Sequence, residues 1–218
     1  LRFSEFTTVW KITKLGNVAE RITTKNSIRI DNVLTISAQY GLISQLEFFN
    51  KSVSAKDVTG YYLLTKNDFA YNKSYSNGYP MGAIKRLNRY EKGVVSTLYI
   101  CFRNNDGFDN LFAEQYFETG NQNVEIEKVA QEGARNHGLL NIGVKDFFEI
   151  QIIIPSLPEQ TKIANFLNTV DEKLTQLKKK KSLLEQYKKG VMQKIFSQEL
   201  QFKDDDGNKF ADWEEKKL

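Results

Sequence analysis

Cysteine and histidine are almost missing from this chain of 218 residues, which has one of each, Cys101 and His137. A single thiol rules out a disulfide framework. Set between Ile100 and Phe102, it reads as a small core residue of a reducing compartment. One histidine, in the polar run Arg135-Asn-His-Gly138, has no second histidine or cysteine with which to share a metal ion, so it reads as a solvated loop residue. Proline occurs only at 80, 155 and 158, which excludes the Asn/Asp-Pro-Pro-aromatic tetrad of amino-methyltransferases. Neither a Gly-x4-Gly-Lys phosphate loop nor a dinucleotide Gly-x-Gly-x-x-Gly is present. A Pro-Asp…Glu-x-Lys nuclease set is missing too, and Asp106, Asp109, Glu125 and Glu127 fall where a solvated helix surface is expected. No long apolar run or secretory leader is seen, and Ile152–Ile154 suits a buried strand, not a membrane span.

Apolar residues make up 40% of the chain, enough for a real core in one domain of about 150 residues. Residues 93–103 carry Val94, Val95, Leu98, Tyr99, Ile100 and Phe102, the clearest strand signal. Other strands are expected over 27–30, 33–39, 60–65, 69–71 and 149–154, with short helices over 15–22, 110–118, 124–132 and 144–148. Residues 71–82 read as a polar loop. Strands with interspersed helices and no strict βαβ rhythm give an α+β class with a curled, mixed β-sheet.

Charge is uneven along this body. Residues 69–105 hold Lys73, Lys85, Arg86, Arg89, Lys92 and Arg103 against Glu91 alone, a local +5. Residues 106–132 follow with a local −6. Such asymmetry points to a basic face that meets a polyanion. Tyr71, Tyr75, Tyr79 and Tyr90, with Asn72, Asn77 and Asn88, interleave the cations and suit phosphates, sugars and base edges.

The C-terminal part carries a long amphipathic helix. Ser156 and Glu159 have capping-box spacing, and Pro158 falls in the first turn, where its missing N–H costs nothing. Ile163, Leu167, Val170, Leu174, Leu177, Leu184, Val191 and Ile195 then follow at intervals of four and three, with Lys181 and Lys188 in two of the slots, the seam of a coiled coil. Leu183, Tyr187, Met192 and Phe196 lie beside the seam, and Gly190 is expected to loosen it. From 157 to 197 the rod measures roughly 60 Å at 1.5 Å per residue. Its stripe needs a second helix. Lys178–Lys181 point all round the axis and read as a solvated flank.

The chain also repeats itself. Leu1-Arg-Phe3, Phe6, Trp10 and Lys14-Leu15 recur as Leu200-Gln-Phe202, Phe210, Trp213 and Lys217-Leu218, with Trp and Leu five apart in both. The period, roughly 200 residues, is that of a domain-plus-helix unit and not of a solenoid.

The run Pro155-Ser-Leu-Pro-Glu-Gln-Thr-Lys-Ile-Ala-Asn-Phe-Leu167, then Asp171 and Lys188-Lys-Gly-Val-Met-Gln-Lys-Ile-Phe196, resembles the conserved region of the specificity (S) subunit of Type I restriction-modification systems. Residues 210–218 and 10–16 resemble the segment that opens each target recognition domain in that family. The resemblance covers about a third of the chain, and residues 17–150 fall where members vary most. It implies a target recognition domain over 1–155, a conserved spacer and dimerisation helix over 156–198, and a linker with the start of the next repeat over 199–218, as in a half subunit or fragment. The implied function is non-catalytic recognition of double-stranded DNA in a bacterial defence system. The seam would pair with an equivalent helix, in a homodimer if this is a half subunit, and the target would be bipartite. Methyltransferase (M) subunits using S-adenosylmethionine to methylate adenine would be partners, as would restriction/translocase (R) subunits using ATP and Mg, while this chain holds no cofactor or metal. Tyr71, Lys73, Tyr75, Asn77, Tyr79, Lys85, Arg86 and Arg89 are the expected DNA contacts, with Gln39, Tyr40 and Arg135 in other loops. A cytoplasmic, nucleoid-associated protein is implied. Two rivals stay open: a coiled-coil scaffold whose head binds protein, and an unrecognised nuclease.

Overall fold

The computed structural model describes residues 2–51, 57–132, 140–211 and 213, so Leu1, Arg135, His137, Lys217 and Leu218 lie outside the described residues. The chain divides into two compact units, Leu1–Leu167 and Asn168–Leu218. In the first unit the strands are β1 (Lys11–Lys14), β2 (Ala19–Arg21), β3 (Leu34–Ser37), β4 (Gly41–Ser44), β5 (Tyr62–Thr65) and β6 (Phe69–Asn72). They continue with β7 (Ala83–Arg86), β8 (Lys92–Val95), β9 (Ile100–Asn104), β10 (Gln131–Glu132), β11 (Leu140–Asn141) and β12 (Gln151–Ile154). Helices α1 (Gln45–Phe49), α2 (Asn110–Glu118), α3 (Asn123–Val129) and α4 (Val144–Glu149) lie among them, and α5 (Leu157–Phe196) follows.

A four-stranded sheet in the order β2-β9-β6-β7 organises the first unit, and every pairing in it is antiparallel. Successive side chains of a strand point to opposite faces, and here the two faces differ in size. Phe69, Tyr71, Ile100 and Phe102 point to one side, where Phe112, Phe117 and Phe147 from α2 and α4 complete a core. Phe69 stacks on Phe102 with ring centroids 5.2 Å apart, and Tyr71 stacks on Phe147 at 4.7 Å. Each fully buried aromatic of this kind contributes roughly 1.5–3 kcal/mol. The small residues Ala70 and Cys101 face the other way, against Leu34, Leu42, Tyr62, Leu64, Leu87 and Val95. Their size lets the β3–β4 and β5–β8 ladders pack close. Burial pushes the Cys101 thiol up to about 12, which makes it an inert core group.

The curled mixed sheet expected from the sequence is replaced by one four-stranded sheet and separate two-stranded ladders among the described residues, none closing on itself. All named pairings are antiparallel, and among the described residues the parallel element is the bridge Val33↔Val94. The cause is strand length. At two to five residues, these strands end in turns before a long, continuous sheet can build up. The strand expected over 93–103 is in fact two, β8 and β9, in different sheets. A turn closed by Tyr99 N–H on the Ser96 carbonyl, at 3.2 Å, separates them. The helix expected over 15–22 is one 3-10 turn, Leu15–Asn17, after which β2 pairs with β9. Residues 27–30 form no strand, because Asn26 folds that loop onto itself through the Ile30 N–H (2.8 Å) and carbonyl (2.9 Å).

Helix α2 spans the residues its sequence implies. The Asp109 carboxylate accepts from Phe112 N–H at 2.9 Å as N-cap, and Gly120, at φ 73°, allows the chain to turn away after the end. Phe112, Ala113, Tyr116 and Phe117 form its buried face. Glu114 and Glu118, four apart, share another.

Helix α5 begins at Leu157, with Pro158 and Glu159 in its first turn as expected. The reciprocal capping box gives way to other partners. The fully covered Glu159 carboxylate accepts from Arg2 Nε at 2.6 Å and Nη2 at 2.7 Å, and from Trp10 Nε1 at 3.1 Å. A charge-assisted fork outcompetes one neutral N–H for a carboxylate. Arg2 holds the Glu159 carboxyl below the usual carboxylate range, against the opposing effect of burial. The buried Gln160 amide accepts from Asp109 N–H at 2.9 Å and donates to the Gly107 and Pro155 carbonyls at 3.1 and 3.0 Å. The Leu-Pro-Glu-Gln run is therefore a buried polar anchor between the helix start and the domain.

In the second unit α5 continues without a break through Gly190 to Phe196. Leu174, Leu177 and Leu184 are 47%, 51% and 56% exposed. Gln198, at φ 60°, ends the helix, and Leu200 N–H closes onto the Lys194 carbonyl at 3.0 Å. A turn built on Asp204 follows, its carboxylate accepting from Asn208 N–H at 2.7 Å. No helix among the described residues is long and apolar enough to cross a membrane.

Candidate nucleic-acid interface

Most of the sequence candidates lie on the hairpin that joins β6 to β7. Gly82, at φ 75°, lies so close to the partner strand that a Cβ there would meet the Asn72 carbonyl oxygen at 2.3 Å, so only glycine lets the hairpin close. Asn72 accepts from Ser74 N–H at 3.1 Å, and a tight turn joins Ser76 to Tyr79 with Gly78 at φ 82°. This geometry presents Tyr75 and Asn77 outward at the tip. Lys73 is half-buried beside them. Its carbonyl accepts from Leu140 N–H at 3.0 Å, which brings the start of β11 alongside. Among the described residues Lys73 has no ion-pair partner.

Tyr71 is different. It is fully buried against Phe147, its hydroxyl donates to the Met81 carbonyl at 2.9 Å, and burial raises its pKa strongly. The strand alternation that exposes nothing at 69 and 71 makes it a core residue, not a contact.

The charge asymmetry of the sequence is largely resolved inside the fold. Helix α2 lies over β7 and brings its acids onto the basic strand. The Lys85 ammonium, almost wholly covered, pairs with Glu118, donates to the Tyr79 hydroxyl at 2.9 Å, and sits 4.4 Å from the centre of that ring. The Tyr79 hydroxyl donates in turn to Glu118 at 2.5 Å, and its pKa is raised by burial and by that carboxylate. Arg86 reaches Glu114 at 2.6 Å and donates to Asn67 at 2.7 Å, while Asn88 donates to the same Glu114 at 2.9 Å. Arg103 is held by the buried Asp68 at 2.7 Å. Drawing Lys85 or Arg86 off to a phosphate would break a pair whose cation is largely covered, a costly exchange.

A second group forms at the other end of β7. Arg89 is partly exposed, its nearest acid being Glu47 of α1 at 3.9 Å. Tyr90 donates to that Glu47 at 2.7 Å and accepts from Ser44 N–H at 3.1 Å, which ties α1 to this segment. Gln39 and Tyr40 are exposed in the turn between β3 and β4, with Tyr40 edge-on to Phe48 at 6.4 Å. Phe48, Phe49 and Leu46 are exposed on α1. Sequence reading did not single them out, because only their placement on α1 reveals that they are exposed. The sequence candidates thus fall into a hairpin-tip group (Lys73, Tyr75, Asn77), a paired group that stiffens it (Tyr79, Lys85, Arg86), and an α1 group (Arg89, Gln39, Tyr40).

The family model for the Type I restriction modification DNA specificity domain matches residues 8–186, most of the chain. The chain belongs to that family. Among solved structures, the S subunit of the Type-I restriction-modification system from M. genitalium is similar, at 19% identity and TM-score 0.53, over 89% of this chain and 48% of that one. A chain from a structure on complex assembly and conformational transition of the type I R-M system is similar at 15% identity and TM-score 0.50, over 89% of this chain and 46% of that one. These likenesses concern the fold. The specificity-domain chain spans about half the length of the solved chains it matches. No curated protein matches it.

Proposed function

We propose that this specificity domain recognises a sequence in double-stranded DNA for a Type I restriction-modification complex, and that its long helix fixes the spacing to an equivalent domain. Membership of the DNA specificity family over residues 8–186 carries this reading. The exposed, polar β6–β7 tip supports it. Lys73 and Arg89 would supply phosphate contacts, and Tyr75, Asn77, Gln39 and Tyr40 would reach sugars and base edges, each good bidentate pair adding ~1–3 kcal/mol of discrimination. Lys85, Arg86 and Tyr79 would stiffen the hairpin from beneath. Residues 1–155 would then be the recognition domain, 156–198 the spacer and 199–218 the link to a further repeat.

In this reading the chain is not itself an enzyme. Methyltransferase subunits using S-adenosylmethionine would modify adenine, and restriction/translocase subunits would cut, all directed to a bipartite target in the cytoplasm. The helix partner would come from a second copy about a two-fold axis or from the rest of a longer subunit, with Leu167, Val170, Leu174, Leu177, Leu184, Val191 and Ile195 facing it, while Ile163, also expected on the seam, is partly buried against the core of its own domain.

The phosphate contacts are testable through salt. Replacing Lys73 and Arg89 together with alanine is expected to weaken duplex binding and to flatten the plot of log K against log salt by about 1.8, since each phosphate contact contributes ~0.9. Titrations from low to moderate salt measure the slope. An unchanged slope places the interface elsewhere, and no duplex binding at low salt favours a protein-binding scaffold.

A further inference from the structure

The chain carries two versions of one short pattern, and the first is seated on a built site. Arg2 and Trp10 converge on the buried Glu159 carboxylate. Phe3 lies edge-on to Phe166 at 6.0 Å, and the Lys162 ammonium sits 4.7 Å from the Phe3 ring centre while pairing with Glu5. Glu159, Lys162 and Phe166, spaced three and four apart, therefore form one receptor face on the opening turns of α5. What sits on it is a strap, residues 2–10.

The second version keeps the residue types at a longer spacing, twelve residues from Gln201 to Trp213 against eight from Arg2 to Trp10, with the turn on Asp204 looping out the residues between the bridged Lys203 and Lys209. Gln201 and Phe202 correspond to Arg2 and Phe3, Phe210 and Trp213 to Phe6 and Trp10, and an acid stands two residues after the first phenylalanine in both, Glu5 and Asp204. Phe202, Phe210 and Trp213 are 72%, 60% and 57% exposed. The Trp213 ring touches Phe196 at one edge, 5.9 Å between centroids.

We infer that residues 200–213 of a second copy of this chain fit the receptor face at Glu159, Lys162 and Phe166, so that copies exchange straps when the resident one lifts. The occupant is set by the likeness to the segment already seated there. The two straps are unequal at one position. Arg2 gives the buried carboxylate a charge-assisted bond from two nitrogens, whereas a glutamine offers one neutral amide nitrogen. The resident strap also belongs to the same chain as its site, which raises its effective concentration into the millimolar range. Arg2 thereby works as a latch, keeping the visiting segment out at ordinary concentrations. This goes beyond DNA recognition and does not depend on it.

The test is a covalent capture in this chain of 218 residues. Phe202 is replaced by the photoreactive benzoylphenylalanine, and Leu174→Asp with Leu177→Asp removes association through the seam. Irradiation of this protein at micromolar concentration is compared with and without Arg2→Gln, which makes the two straps alike at that position. The expected result is a crosslinked dimer with adducts between residues 159 and 166 of the other copy, its yield raised roughly tenfold by Arg2→Gln, the equivalent of about 1.4 kcal/mol. Trp213→Ala should return the yield to baseline. Arg2→Lys keeps the charge without the fork and should lie between, which guards against a glutamine variant that fails to fold. Absence of dimer adducts, adducts elsewhere, or a yield indifferent to both Arg2 and Trp213 overturns the inference.

Discussion

Glu118→Ala is expected to destabilise the chain by about 2–3 kcal/mol, somewhat below the ~3–5 kcal/mol of a fully buried broken pair, because Glu118 is partly exposed. The substitution strips the Lys85 ammonium of its carboxylate in a site where water cannot replace it. Tyr79 loses the acceptor of its hydroxyl at the same time. In a chain of this size each kcal/mol lowers the melting temperature by roughly 2–4 °C, so a fall of about 4–12 °C is expected by calorimetry. Replacing both partners with apolar residues, Lys85→Met with Glu118→Leu, should recover most of the loss, since no buried charge is then left alone. A Glu118→Ala variant as stable as the parent would mean that the α2 acids do not neutralise the basic strand. Lys85 and Arg86 would then return as candidates for phosphate contact.

The seam should show the larger effect on assembly. Leu174→Asp with Leu177→Asp is expected to weaken helix-mediated association by at least roughly a thousandfold, about 4 kcal/mol, because two carboxylates would have to be buried in the pairing face. Both leucines are half exposed, so thermal stability should barely move. Lys179→Asp, on the helix face opposite the seam, serves as the control and should leave association nearly intact. Sedimentation equilibrium reads all three. Association that survives the double aspartate change would separate the seam from assembly.

Much of the architecture can be read from the sequence because the signals are local. The period of α5, the 110–118 helix signal and the 149–154 strand signal each sit within a few residues of the structure they specify, whereas Asp109, expected on a solvated helix surface, is the N-cap of α2. The sheet is less legible. Nothing in Thr97-Leu98 announces a turn, so β8 and β9 read as one strand although they belong to different sheets. The same limit applies to the candidate site. Its basic stretch is real, but whether a cation is free depends on which helix packs over it, and Glu114 and Glu118 reach β7 from roughly thirty residues away. Likewise Glu159 has capping-box spacing, yet its partners, Arg2 and Trp10, come from the other end of the chain. Tyr71 shows the same thing on a smaller scale: a tyrosine in a polar neighbourhood looks like a contact until its strand partner fixes which way it points.

Selection of duplexes from a randomised pool by the intact chain at low salt, followed by sequencing, tests the central claim most directly. The account predicts enrichment of a defined sequence in two half-sites at constant separation, reduced to an isolated half-site when Leu174 and Leu177 are replaced by aspartate. A bound pool with the composition of the starting pool would contradict it.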